Sequence, residues 1–429
     1  MMHSLAGPKS GANAMIRRSS LSAVRAAAAA AILLVIGAGA ASPAQAIDVT
    51  LENVTFPVAA GTVLLRQIIV EGGNLPREDI VKLFSTESSA DIEPLAARLE
   101  ATRIRIPETT LTETRGQLVI RDFEATGIRN GTAARISVAG VDGSVEMPKS
   151  GSGKIQVAMR PFQADNASFA NFIHGIRAGV FSKLLTHASH VRWEGFDLNF
   201  PDSTVKTGDN VARVHLGSLE VTSSFSGDIP KNTDFEVKDL VVLPAKGSTT
   251  AQAIAGLGRE KIELGFRLKG TYDMEAKVFT IDDYSLSAPA VGTLTAQGRI
   301  DNLDGAFYGD DAEKRKGAFQ DARLGQVMLR YQDVGMFDRI VATAAERARK
   351  TPEALKAEWI AKTSQATTNL LGSNPSSGKL ATELTKFIAT PGTLTITASS
   401  TATLRLGDFN RFLLPMLLSQ LTIDAAASK

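Results

Sequence analysis

The chain has 429 residues, no cysteine, 47 Lys and Arg against 45 Asp and Glu, and 44% apolar side chains. That length can bury a sizeable core, in one elongated body or two domains. A disulfide scaffold is excluded, and the near-neutral balance lacks the clustered positive footprint that nucleic-acid binding needs.

Residues Met1 to Ala46 hold Lys9, Arg17, Arg18 and Arg25 and no acid. Ala26 to Ala41 is an unbroken apolar run, and Ala44-Gln45-Ala46 fits a small-residue cleavage site. Residues 1–46 read as a cleavable secretory signal, which places the rest of the chain in the periplasm. An uncleaved inner-membrane anchor is the alternative, although the run falls short of the ~20 residues a span needs. Without this segment the chain holds more acids than bases, so its basic pI belongs largely to the signal.

The remainder alternates like strands. Val49 to Val70 gives two apolar runs, and Pro76 with Glu78-Asp79 opens a short helix. A second helical patch, Ile92 to Leu99, leads into Arg103-Ile104-Arg105-Ile106, which alternates again. Glu113 to Val145 reads as strands, with turn signals at Asn130-Gly131 and Asp142-Gly143. A long helix is expected over 167–187, where Phe169, Phe172, Ile176, Val180, Phe181 and Leu184 fall on helical spacing. Its polar side is thin. It either plugs one side of a sheet or lines a ligand cavity.

From Val211 to Ile300 the pattern is β again, broken by a small helix near Thr250 to Leu257. A soft boundary near Asn210 divides residues 47–210 from 211–429. The second part carries a helical section over 335–389, with Phe337, Ile340 and Trp359 on its apolar faces and Thr351-Pro352-Glu353 as a helix start. Phe409 to Ile423 is apolar, but it is too short and too broken by Pro415 to span a bilayer.

One unit recurs: a strand, an acidic or amide residue, an apolar residue, a short connection, Gly-Thr or Gly-Ser, then a strand. It occurs at Asn53-Val54 with Gly61, Asp122-Phe123 with Gly131, Asp239-Leu240 with Gly247, and Asp283-Tyr284 with Gly292. The offset from Ile120 to Ile281 equals that from Gly131 to Gly292, which suggests two related halves.

Catalytic and metal motifs are weak. His187, His190 and Glu194 are the best metal candidate, but zinc sites use tighter and more numerous ligands. Asp301, Asp304, Asp310 and Asp311 do not match a calcium loop. Gly256-Leu257-Gly258 and Ser376-Ser377-Gly378-Lys379 lack the glycines of nucleotide loops. The chain is read as a non-enzyme with no cofactor and no metal.

Taken together, the export segment and the four units resemble the AsmA-like group of envelope proteins. Asp122-Phe123 with Gly131 and Asp283-Tyr284 with Gly292 carry that resemblance most strongly. It implies a curved sheet with an apolar groove and a role in moving lipid between membranes. The chain departs from the group in its shortness and in its helical section.

The expected fold is α+β and β-dominated: curved antiparallel sheet of recurring strand units, covered by amphipathic helices. The expected function is binding of an apolar ligand, a lipid, between sheet and helices for envelope lipid transport or homeostasis. Phe169, Phe172, Ile176, Val180, Phe181, Leu184, Phe337, Ile340 and Trp359 are the candidate groove residues. The expected partners are a lipid or other apolar small molecule and an inner- or outer-membrane protein, and no nucleic acid. A structural or adaptor protein with a filled core is the alternative.

Overall fold

Period-two alternation does build the body of the protein, and all of its named strands join one antiparallel sheet. The computed structural model describes residues 46–429 apart from 59–60, 86–88, 114, 147–152, 179–187, 203–204, 206–209, 228, 310, 373, 401–403, 411–416 and 419. Strands β1 (Ile47–Val58), β2 (Gly61–Gly73), β3 (Ala101–Glu113) and β4 (Gly116–Arg129) follow one another as a meander. Beyond β4 the long strands are each broken in two. β5 (Thr132–Val138) and β6 (Gly140–Glu146) pair with successive halves of β4 in one unbroken register.

The same division passes through β7 (Lys154–Met159) with β8 (Phe162–Ser168), and β9 (His190–Trp193) with β10 (Phe196–Pro201). It continues through β11 (Val211–Leu216) with β12 (Ser218–Ser226), until β13 (Ile229–Leu243) spans both lines. β14 (Ile262–Asp273), β15 (Val278–Ala288), β16 (Gly292–Asp301), β17 (Arg323–Asp333), β18 (Thr393–Ser400) and β19 (Leu421–Ser428) then extend the sheet by antiparallel neighbours. β10 pairs directly with β11, so the sheet continues across Asn210.

A crease explains the broken strands. Asn53, Pro107, Asp122, Ala139, Pro161, Gly195, Gly217 and Asp239 lie along one line across the sheet and drop out of its regular pairing. Asn53, Asp122 and Asp239 hold left-handed backbone, at φ 53°, 47° and 54°. Short polar side chains tolerate that region best. The two prolines have no N–H to give a ladder. Gly195 sits at φ 113°, where a Cβ would collide with the Leu216 carbonyl.

The acidic or amide residue of three sequence units is therefore a crease residue. In the fourth unit, Asp282-Asp283 lies inside a register shift between Ile281 and Tyr284. Two readings need correction. Asp142-Gly143 is no turn: both sit inside β6, and Gly143 lets the Gln117 carbonyl come close. Gly247-Ser248 leads into a helix rather than a strand, because the Ser248 hydroxyl caps it by accepting from Ala251 N.

Helices α1 (Arg77–Ser85), α2 (Ser89–Arg98) and α3 (Phe169–Ala178) cover the first part of the sheet. Ile80, Leu83, Leu95, Leu99 and Phe169 enter one core with Ile68, Ile104 and Val191. The second part carries α4 (Thr249–Gly256), α5 (Ala312–Asp321), α6 (Met336–Ala348), α7 (Pro352–Leu371) and α8 (Ser377–Ala389). Thr351 caps α7 by accepting from Ala354 N, and Pro352 fills its first turn. α8 closes the last edge of the sheet: Ser376 Oγ accepts from Ile423 N at 3.0 Å, and Glu383 Oε2 accepts from Ala427 N at 2.8 Å. An edge tied down this way offers fewer free donors to another chain. Among the described residues, no helix is long and apolar enough to cross a membrane.

Candidate functional site: an apolar cavity at the crease

Strand alternation sorts the two faces of the sheet. On the inner face a single row of cross-strand partners begins Val49, Val70, Ile104, passes Val191, Val221, Phe235, Leu268 and ends Leu329, Ile396, Ala425. Every member is apolar except Tyr284, which follows Leu268. A neighbouring row runs Val138, Phe162, Trp193, Leu219, Val237, Phe266, Leu286, Leu294.

On the outer face the partners are charged. Arg105 meets Asp122 at 2.8 Å, Arg135 meets Asp165 at 2.9 Å, and Arg267 meets Asp234 at 2.9 Å. These pairs are partly to fully exposed, so water and salt screen them. They set which face meets water more than they set stability.

An apolar cavity of about 310 Å³ straddles the crease on the inner face. Ile106, Phe123, Val138, Phe162, Trp193 and Leu219 line it from one side of the crease; Phe56, Leu65, Ile120, Val141 and Met159 line it from the other. Phe84 of α1 and Phe172 and Ile173 of α3 complete the wall. Phe172 stacks on Phe123 with ring centroids 4.6 Å apart. The volume is about twice that of an engineered ~150 Å³ cavity that stays dry and takes up benzene, and it falls at the low end of ligand pockets.

The polar groups at this cavity are few. The Thr109 side chain reaches it from β3. Arg160 also borders it, but its guanidinium is aimed at Asp197, 3.5 Å away on the outer face, where His215 Nδ1 lies 2.7 Å from the same carboxyl group. That imidazole, with Arg160 behind it, holds Asp197 below the usual carboxylate range. The charge thus faces away from the cavity. A polar recess of about 520 Å³ lies along the same crease, lined by Arg105, Asp122, Glu124, Gln163, Arg192 and Glu194. By alternation its charged side chains belong to the outer face.

The candidate residues from the sequence separate into groups. Phe172 lines the cavity. Phe169 is wholly buried in the core beside it. Ile176 lies on α3, but its side chain is outside the described residues, as are Val180, Phe181 and Leu184 altogether. Phe337, Ile340 and Trp359 are not at this cavity. Phe337 packs edge-on against Trp359 and Phe387 at the α6–α8 junction, and Ile340 is exposed on α6.

The metal candidate resolves differently. His190 opens β9, with Nε2 2.8 Å from Glu220 and Nδ1 3.4 Å from Asp165. The hydrogen bond to Glu220 is the main reason its pKa is raised. Among the described residues no group of three or more His, Cys, Asp or Glu side chains is placed to hold a metal. His187 lies outside them. Asp304 and Asp311 are helix caps, accepting from Ala306 N and Glu313 N, and Asp304 also pairs with Lys277.

Sequence reasoning missed most of the cavity wall. Ile120, Met159, Trp193 and Leu219 sit in alternating strands, but alternation does not reveal which strands meet across a crease. The run of Asn, Asp, Pro and Gly at strand centres was the available signal. In comparison with known proteins, one family model, described only as an uncharacterized protein, matches residues 285–428, from within β15 to the end of β19. No curated protein matches the chain.

Proposed function

We propose that this protein is an exported, periplasmic, non-catalytic binder of lipid acyl chains, acting in envelope lipid transport or homeostasis. The observation that carries the reading is the apolar cavity at the crease, whose walls come from both sides of the bent sheet and from two helices. An acyl chain suits such a space because each methylene removed from water contributes ~0.8 kcal/mol, with no polar partner required. Among the described residues, the single charged side chain at its border points to the outer face and does not compensate a buried headgroup charge. The lipid's polar end therefore stays at the surface.

The inner face of β13–β17, only partly covered among the described residues, favours the same ligand class. Phe235, Phe266, Leu268, Tyr284, Leu286 and Leu294 are half-buried there, and Leu329 remains 41% exposed. Export and an inner- or outer-membrane protein partner belong to this proposal, in keeping with the AsmA-like resemblance. The test is mass spectrometry of organic extracts from protein purified without detergent. Stoichiometric lipid supports the proposal. An empty, folded protein would redirect the reading to a structural or adaptor role.

A further inference from the structure

A second cavity, of about 260 Å³, lies away from the first, at the far end of the β14–β16 hairpins. Five of its lining residues are aromatic: Tyr272, Phe279, Phe307, Tyr308 and Phe319. Tyr272 and Tyr308 have centroids 5.1 Å apart, and Phe307 meets Tyr308 edge-on at 5.2 Å. Gly270 makes room for this arrangement, since a Cβ there would lie 2.7 Å from the Phe279 ring. Phe319 stands at the rim and is 44% exposed.

The two phenols differ. The Tyr272 hydroxyl is used, donating to the Leu303 carbonyl at 2.7 Å. The Tyr308 hydroxyl has no hydrogen-bond partner among the described residues. Burial raises its pKa to about 12, so it is a protonated donor at neutral pH. A half-buried donor inside a ring-lined cavity is a ready hydrogen-bonding hook. Among the described residues, the one charged side chain at the lining is Lys231, which is exposed, so the interior disfavours an ion.

We infer that this cavity is a separate binding site for an uncharged, ring-containing molecule that stacks among the aromatic side chains and accepts a hydrogen bond from Tyr308 through a carbonyl oxygen. Flat rings match the offset and edge-on contacts the site already uses. This site is independent of the acyl-chain cavity.

The test is a ligand-observed NMR titration with 1-tetralone and its carbonyl-free parent, tetralin. The wild-type protein should bind both, with tetralone favoured roughly 2- to 10-fold, the equivalent of one net hydrogen bond. Tyr308→Phe should erase that preference while leaving tetralin affinity unchanged. Phe307→Ala should weaken both. Val141→Trp, which fills the acyl cavity, should alter neither. Failure of both probes to bind overturns the inference. So does a tetralone preference that survives Tyr308→Phe, or probe binding that Val141→Trp abolishes. Loss of lipid binding in the wild type would strike the acyl-chain reading alone.

Discussion

Phe172→Ala tests whether the α3 ring is a wall as well as a core residue. Phe172 is 5% exposed and stacks on Phe123 at 4.6 Å, so truncation removes a buried ring and one aromatic pair. Buried Phe→Ala changes cost ~3–5 kcal/mol, including the cavity left behind. Because one side of this ring faces a cavity already present, it has fewer contacts to lose, and the expected cost lies at the lower end, about 3 kcal/mol. The assay is urea unfolding of delipidated protein, read as a fall in midpoint at constant slope. Repeating it with saturating palmitate should show a smaller loss, since the chain occupies the vacated space and binding stabilises only the folded state. A loss below ~1 kcal/mol would show that the ring is not packed. A loss identical with and without bound palmitate would refute the wall assignment.

Three other perturbations follow from particular contacts. Asp122→Val should destabilise the fold by ~1–2 kcal/mol in chemical denaturation, because a β-branched side chain resists left-handed backbone, whereas Asp122→Gly should stay near wild type; equal costs would rule out the crease role. The raised pKa of His190 means that its bonds to Glu220 and Asp165 contribute stability that is fully present below about pH 6.5, its unfolded value, and lost as pH rises through the higher folded value. Thermal midpoints should therefore fall across that window in the wild type, and His190→Asn should remove this step. Asn374 is buried, donating to the carbonyls of Leu418 and Leu421 and accepting from Ser376 N; Asn374→Ala should cost ~1–3 kcal/mol by leaving those groups unpaired, measured by urea midpoint.

How much of this was legible depends on whether the signal was local. The strands were legible because alternation is local: Ile262, Leu264, Phe266 and Leu268 already declare one face of β14. Helix starts at Thr351 and Met336 were legible for the same reason. Gly143 was misread because its role is to admit the carbonyl of another strand, which no local pattern reports. Phe337 and Trp359 looked like groove residues from their helical stripe, but a stripe does not say what it faces. It faces Phe387 and the neighbouring helix. Phe172 was found on the same kind of evidence; the difference lies in tertiary placement.

The recurring acidic or amide residue has the more general consequence. Read as a repeat, it suggested related halves; in the fold, Asn53, Asp122 and Asp239 mark where strands leave regular pairing. A flat two-faced sheet would leave its apolar rows to be covered entirely by helices. Bending it along a line lets Ile120 and Met159 on one side share a space with Phe123 and Trp193 on the other. Away from that space, Ala125, Ala133, Ala164 and Ala167 occupy buried positions on and beside the inner row. Small residues under the helices and left-handed residues along the crease thus act together, one drawing the cover close and the other bending the sheet to leave room. Cavity volume is then set by backbone placement, so single wall substitutions should tune ligand size while crease substitutions should change whether a cavity exists.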